Sequence, residues 1–198
     1  VIPKNIYECA IILRTCFENN ISITISAGKT NLTGSATPRG GVVLSISKLL
    51  YPEIKLNLKS NEVFSPAGVT LEDLRNKILE LSNSTLYYPV NPTSRHDALV
   101  GGTLSCNASG FIPGKRGATR YWVNEIELLL PNGYLIKARR GDYFSLNGIF
   151  QINVNNKNII FPIPKYKRPK IKNASGPYSG YNGKIDFVDL IIGSEGLY

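Results

Sequence analysis

Two stretches concentrate residues suited to gripping an anionic, extended ligand. The first is Ala27-Gly28-Lys29-Thr30-Asn31-Leu32-Thr33-Gly34-Ser35, where mostly small side chains leave backbone N–H groups open and Thr30, Thr33 and Ser35 add hydroxyls, Lys29 a positive charge. Gly28 and Gly34 permit close approach of a ligand or a positive φ. A concave row of amides cradles anions, although on this stretch alone an ordinary glycine-rich turn reads equally well. The second stretch runs from Tyr88 to Gly110. Pro89 and Pro92 hold its approach extended, Gly101-Gly102 allows close backbone contact, and Ser105, Asn107 and Ser109 supply compact hydrogen-bonding groups. Two such segments in one chain point to a long polar ligand held from two sides, such as a dinucleotide.

Familiar phosphate motifs do not account for the first stretch. Gly28-Lys29-Thr30 ends like a nucleoside-triphosphate loop, but the glycine that pattern requires falls where Ile23 stands. The glycine spacing is not that of a Rossmann fingerprint. His96, the only histidine, lies between Arg95 and Asp97 and reads as a surface polar residue, since a general base needs an orienting partner. Cys9, Cys16 and Cys106 form no metal-ligand pattern, so no metal is expected; an odd number of thiols favours a reducing, cytoplasmic setting. Asn-x-Ser/Thr triplets at Asn20, Asn31, Asn83, Asn107 and Asn173 read as coincidence without a secretory signal.

The elements that must position these segments follow from periodicity. Lys4 to Asn19 reads as an amphipathic helix through Ile6, Ala10, Leu13 and Phe17. Ile21 to Ile25 alternates as a strand feeding the first stretch, and Val42 to Ile46 is a second strand. Leu56 to Phe64 reads as one further strand, and Thr70 caps a helix over Leu71 to Glu80 with acids in its first turn. The 198 residues suffice for one domain or two packed lobes. The net charge of +9 draws on Lys165, Lys167, Arg168, Lys170 and Lys172 among prolines. This reads as a solvated basic loop, with an anionic membrane surface, and so a peripheral membrane location, or a partner subunit as alternatives; it is confined to one stretch without a recognised binding motif, so no nucleic-acid partner is expected. No apolar run reaches the roughly 20 residues of a membrane span. An opening on Val1-Ile2-Pro3 without Met leads us to expect a fragment or processed form.

In chain order, Thr30-Asn31-Leu32-Thr33-Gly34, Tyr88-Pro89 with Asn91-Pro92-Thr93-Ser94, Gly101 to Gly110, Gly117-Ala118-Thr119-Arg120, Leu130-Pro131-Asn132-Gly133 and Gly193-Ser194-Glu195-Gly196 form a series. Together they resemble the FAD-binding domain of the vanillyl-alcohol oxidase / p-cresol methylhydroxylase (PCMH-type) superfamily, nearest its glycolate oxidase and D-lactate dehydrogenase branch. The resemblance implies an α+β, two-lobed PCMH-type FAD-binding domain: a small mixed-sheet lobe over about residues 1–52 and a larger, mostly antiparallel lobe flanked by helices over 53–198.

The resemblance also implies non-covalent FAD between the lobes, since His96 matches no attachment position. Ala27, Gly28, Lys29, Thr30, Asn31, Leu32, Gly34 and Ser35 would wrap the pyrophosphate. Pro92, Thr93, Ser94, Gly101, Gly102, Ser105, Asn107, Ala108 and Ser109 would line the rest of the cleft, and Ile191-Ile192 would form a strand passing the flavin. Catalytic side chains, expected on a substrate-binding cap absent from this chain, stay unassigned. The parent enzyme would oxidise a 2-hydroxy acid and pass electrons to a quinone or another protein. The alternative is a flavin-free structural or interaction module of the same fold, its cleft blocked by a side chain such as Lys29 or Tyr88.

Overall fold

The computed structural model of the chain describes residues 1–154, 156–164, 166, 171, 173, 176 and 184–196; the basic residues from Lys165 to Lys172 lie outside them. Helix α1 (Ile6–Glu18) begins at Asn5, whose side chain accepts from the Glu8 amide, and buries Cys9, Leu13 and Cys16. It packs Cys9 and Leu13 against Leu44 of β2, with Ile23 of β1 alongside. Strands β1 (Ile23–Ser26) and β2 (Val42–Ser45) pair in parallel, Ser26 opposite Ser45. The candidate cradle therefore occupies the crossover between two neighbouring parallel strands. The Ile46 amide closes onto the Ser26 carbonyl at 3.0 Å, tying both ends of the crossover together.

The stretch expected as one strand over Leu56 to Phe64 is instead a hairpin, β3 (Lys55–Asn57) antiparallel to β4 (Glu62–Phe64). Asn57 explains the break, because its side-chain oxygen accepts from the Lys59 and Ser60 amides at 3.0 and 3.3 Å. Asn61 then takes a positive φ of 54°. Helix α2 (Leu71–Leu81) matches its expected cap, Thr70 accepting from Asp73 N at 3.0 Å. A third helix, α3 (Val100–Ser105), occupies what reads as loop in the sequence. Glycine costs helix about 1 kcal/mol relative to alanine, and here packing demands it: a Cβ on Gly101 would lie 2.9 Å from Ala67 Cβ.

The remainder contributes two antiparallel ribbons, β5 (Glu125–Leu129) with β6 (Leu135–Arg139) and β7 (Ile149–Val154) with β8 (Lys157–Pro162), then α4 (Phe187–Ile191). The fold is thus α+β. Its antiparallel strands occur among the described residues as separate two-stranded ribbons. The largest core gathers around Phe187, whose ring centroid lies 5.6 Å from that of Phe150, 5.5 Å from Phe161 and 6.2 Å from Tyr143. Leu104 of α3 packs against both this core and the one under α2, so α3 joins the two. Phe187→Ala should lower stability by about 3–5 kcal/mol, as large aromatic deletions in closed cores do; a denaturant midpoint unchanged from wild type would refute this packing account.

Candidate functional site

Helix α2 fixes the second segment. Its Arg75 Nη1 donates to the Tyr88 carbonyl at 2.8 Å, Leu71 N donates to the Ala98 carbonyl at 2.8 Å, and Glu72 Oε2 accepts from Arg95 Nε at 2.7 Å. The chain from Tyr88 to Ala98 is thereby strapped along one helix. Burial pushes the Tyr88 phenol up to about 12, against the lowering effects of a hydrogen bond with Thr119 and the charge of Arg75. Tyr88 packs against the core under α2, so it is held there rather than standing free.

The two segments adjoin. A Cβ on Gly28 would collide with the Asp97 carbonyl oxygen, and one on Gly102 would lie 2.8 Å from Ala27 Cβ. Lys29 takes φ 56° and Gly34 φ 81°, curling the crossover back, with its turn closed by Thr37 N to Gly34 O at 2.9 Å. Asn31 Nδ2 donates to Ser35 Oγ at 2.7 Å and Thr33 Oγ1 at 3.3 Å, so the side chains of this loop bond to one another. Among the described residues, no backbone amide from Gly28 to Ser35 donates to a protein acceptor, nor do those of Thr93 and Ser94. Lys29, Leu32, Thr33, Gly34, Ser35 and Thr93 are exposed.

The Gly193-Ser194-Glu195-Gly196 segment closes the third side. Gly193 N donates to Leu104 O at 3.0 Å and Glu195 N to Ser105 O at 2.9 Å, while Thr33 Oγ1 donates to Glu195 Oε2 at 2.9 Å. Residues separated by 162 positions therefore meet over the C-terminal end of α3. Cys106, beside them, has its thiol pushed up by burial and by the Glu195 charge, which favours the unreactive protonated form.

Some expected site residues are taken up by the structure itself. Ile191-Ile192 is not a strand: Ile191 ends α4 and Ile192 caps it. The Ile192 side chain is 1% exposed in the core, and its carbonyl accepts from Arg120 Nη2 at 2.5 Å. Asn107 is buried with φ 47°, and its Oδ1 accepts from Arg120 N at 3.0 Å. Ala108 accepts from Thr119 N at 2.9 Å, and Ser109 bridges to Ala118. Gly101, Gly102 and Ser105 lie on α3, Pro92 and Ser94 are half-buried, and His96 is exposed.

Arg120, to which the sequence assigned no role, organises this side. Its guanidinium bonds the Asp189 and Ile192 carbonyls at the end of α4, and its own carbonyl accepts from Arg140 Nη2 at 2.8 Å. Arg140 in turn pairs with Asp189 at 3.0 Å. Nothing in the letters Gly117-Ala118-Thr119-Arg120 says that the arginine is buried. Among the described residues no group of His, Cys, Asp and Glu could hold a metal ion.

Residues 1–139 match the family described as FAD binding domain, and the chain belongs to that family. It is 35% identical over 132 residues to a D-lactate dehydrogenase of Anaerostipes hadrus, covering 66% of this chain and 26% of that protein. The glycolate oxidase subunit GlcD of Bacillus subtilis is 28% identical over 139 residues, 70% of this chain and 29% of that protein. A D-2-hydroxyglutarate dehydrogenase of Xanthomonas citri pv. viticola is 27% identical over 196 residues, 98% of this chain and 33% of the relative. Alkyldihydroxyacetonephosphate synthase shares the fold with TM-score 0.65 at 16% identity, over 99% of this chain and 28% of that structure. A chitooligosaccharide oxidase does so with TM-score 0.59 at 16% identity, over 70% and 28%. The chain thus spans well under half the length of these curated relatives. No helix among the described residues is long and apolar enough to cross a membrane.

Two outcomes follow from this geometry. Gly28→Ala should cost about 3 kcal/mol or more, because the added methyl meets rigid backbone at Asp97; thermal unfolding equal to wild type would contradict the close approach. The folded state also holds the Tyr88 proton between its ordinary 10.0 and about 12, so stability should fall as pH rises through that window. Tyr88→Phe should flatten the fall, read as denaturant midpoints at pH 9 and pH 12.

Proposed function

We propose that this chain is the FAD-holding part of a flavin-dependent oxidoreductase acting on a 2-hydroxy acid. The observation carrying the reading is the run of amides from Gly28 to Ser35 that donates to no protein acceptor, its start at Ala27-Gly28 packed against Gly102 of α3 and the Asp97-Ala98 backbone. A diphosphate carries two negative charges and accepts from such amides, and Lys29 adds a cation to the same loop. The tight glycine contacts and the buried, unpartnered Asn91 Oδ1 fit an uncharged, hydrogen-bonding remainder beyond the diphosphate.

In this reading residues 27–31, 34 and 35 hold the diphosphate, and Pro92, Thr93, Ser94, Gly101, Gly102 and Ser105 line the rest. Asn107, Ala108 and Ser109 contribute by supporting Arg120 and the 109–118 bridge, and Ile192 by fixing the backbone that leads to Gly193. The lobes, about 1–52 and 53–198, flank the cofactor. When bound, FAD supplies a hydride acceptor for the carbon that bears the substrate hydroxyl. The side chains here would bind and orient the group; substrate selection, proton removal and transfer to a quinone or protein acceptor are not assigned to residues of this chain. The names of relatives such as D-lactate dehydrogenase and glycolate oxidase support the substrate class.

The protein mixed with FAD and passed through a desalting column should emerge yellow, with visible flavin absorption and quenched flavin fluorescence. Colourless protein that leaves the fluorescence of added FAD unchanged would refute the reading and favour the flavin-free module.

A further inference from the structure

Two buried side-chain oxygens among the described residues lack a hydrogen-bond partner, Ser26 Oγ and Asn91 Oδ1. Both immediately precede a candidate cofactor segment, and those segments touch. They differ in access: Ser26 is 1% exposed and sealed, whereas Asn91 is half-buried and stands two residues before the exposed Thr93. A buried acceptor left without a donor costs about 1–3 kcal/mol, an energy that a suitably placed donor recovers.

We propose that Asn91 is a cofactor-binding residue whose Oδ1 accepts a hydrogen bond from a neutral N–H or O–H of the bound dinucleotide. The assignment rests on the FAD reading above and extends it to a residue of the second stretch that was given no contact with the ligand. A carbonyl oxygen repels phosphate lone pairs, so its partner is a hydroxyl or ring N–H of the riboflavin or adenosine half and not the diphosphate. The Asn91 backbone is held firmly enough for this: a Cβ on Gly110 would collide with Asn91 N, and Val90 O, just before it, accepts from Arg75 Nη1 at 3.4 Å. The fixed φ of Pro92 on its other side limits the swing of the chain. Only the side-chain amide is left to turn.

The test compares wild type, Asn91→Leu and Asn91→Asp by FAD fluorescence titration, with thermal unfolding of each protein before and after FAD. Asn91→Leu keeps the volume and removes the acceptor, so its FAD affinity should fall about tenfold. Its unfolding temperature without FAD should be equal to wild type or higher, because an unsatisfied group has gone. Asn91→Asp, which keeps an acceptor, should bind closer to wild type than the leucine variant. Competition by riboflavin and by ADP locates the donor: a loss for one fragment alone supports the assignment and names the half. Leucine binding equal to wild type overturns it, as does a loss for both fragments accompanied by lower stability without FAD. Wild type that binds no FAD overturns the underlying reading instead, so the two failures are distinguishable.

Discussion

Everything near the candidate site depends on one close approach, the backbone of Ala27-Gly28 lying against Asp97-Ala98 and the face of α3 that carries Gly102. No side chain larger than hydrogen fits at Gly28 or Gly102 without displacing main chain or Ala27. Beyond that contact the amides from Gly28 to Ser35 donate to no protein acceptor among the described residues. Such a loop, exposed at Lys29 and from Leu32 to Ser35, has the free amides that an anion would accept from.

The surroundings act to hold that contact. Helix α2 straps residues 88 to 98 from below through Glu72, Arg75 and the Leu71 amide. Arg120 fixes the end of α4, and from there Gly193 and Glu195 bond back onto Leu104 and Ser105. A buried arginine is costly unless its donors are met, and here carbonyls at a helix end meet Nη1 and Nη2 of Arg120 with their own partial negative charge. The Thr33–Glu195 bond then joins the far end of the chain to the crossover loop. The crossover loop and the 193–196 segment thus meet α3 directly, while α2 holds residues 88 to 98 beside them.

Local rules made part of this legible. Thr70 with Glu72 and Asp73 announced α2, and the alternation Ile21 to Ile25 announced β1, since both signals are short-range. The period of two in Phe150, Ile152 and Val154 was equally available. Where tertiary packing decided, the letters misled. Val100 to Ser105 is helical although it holds two glycines, which its close neighbours require, and Ile191 ends a helix, with Ile192 as its cap, that Asp186 starts through Val188 N. The hairpin at Asn57 hinged on one side chain bonding to its own backbone, a contact that strand propensity does not weigh. The part Arg120 plays and the unpartnered oxygen of Asn91 depend on burial, which no local pattern encodes.

The most direct measurement of the central claim is amide hydrogen exchange with and without FAD. Slowed exchange confined to the amides from Gly28 to Ser35, with Thr93 and Ser94, is the predicted result. Unchanged exchange there, with protection appearing on another face of the protein, would contradict it.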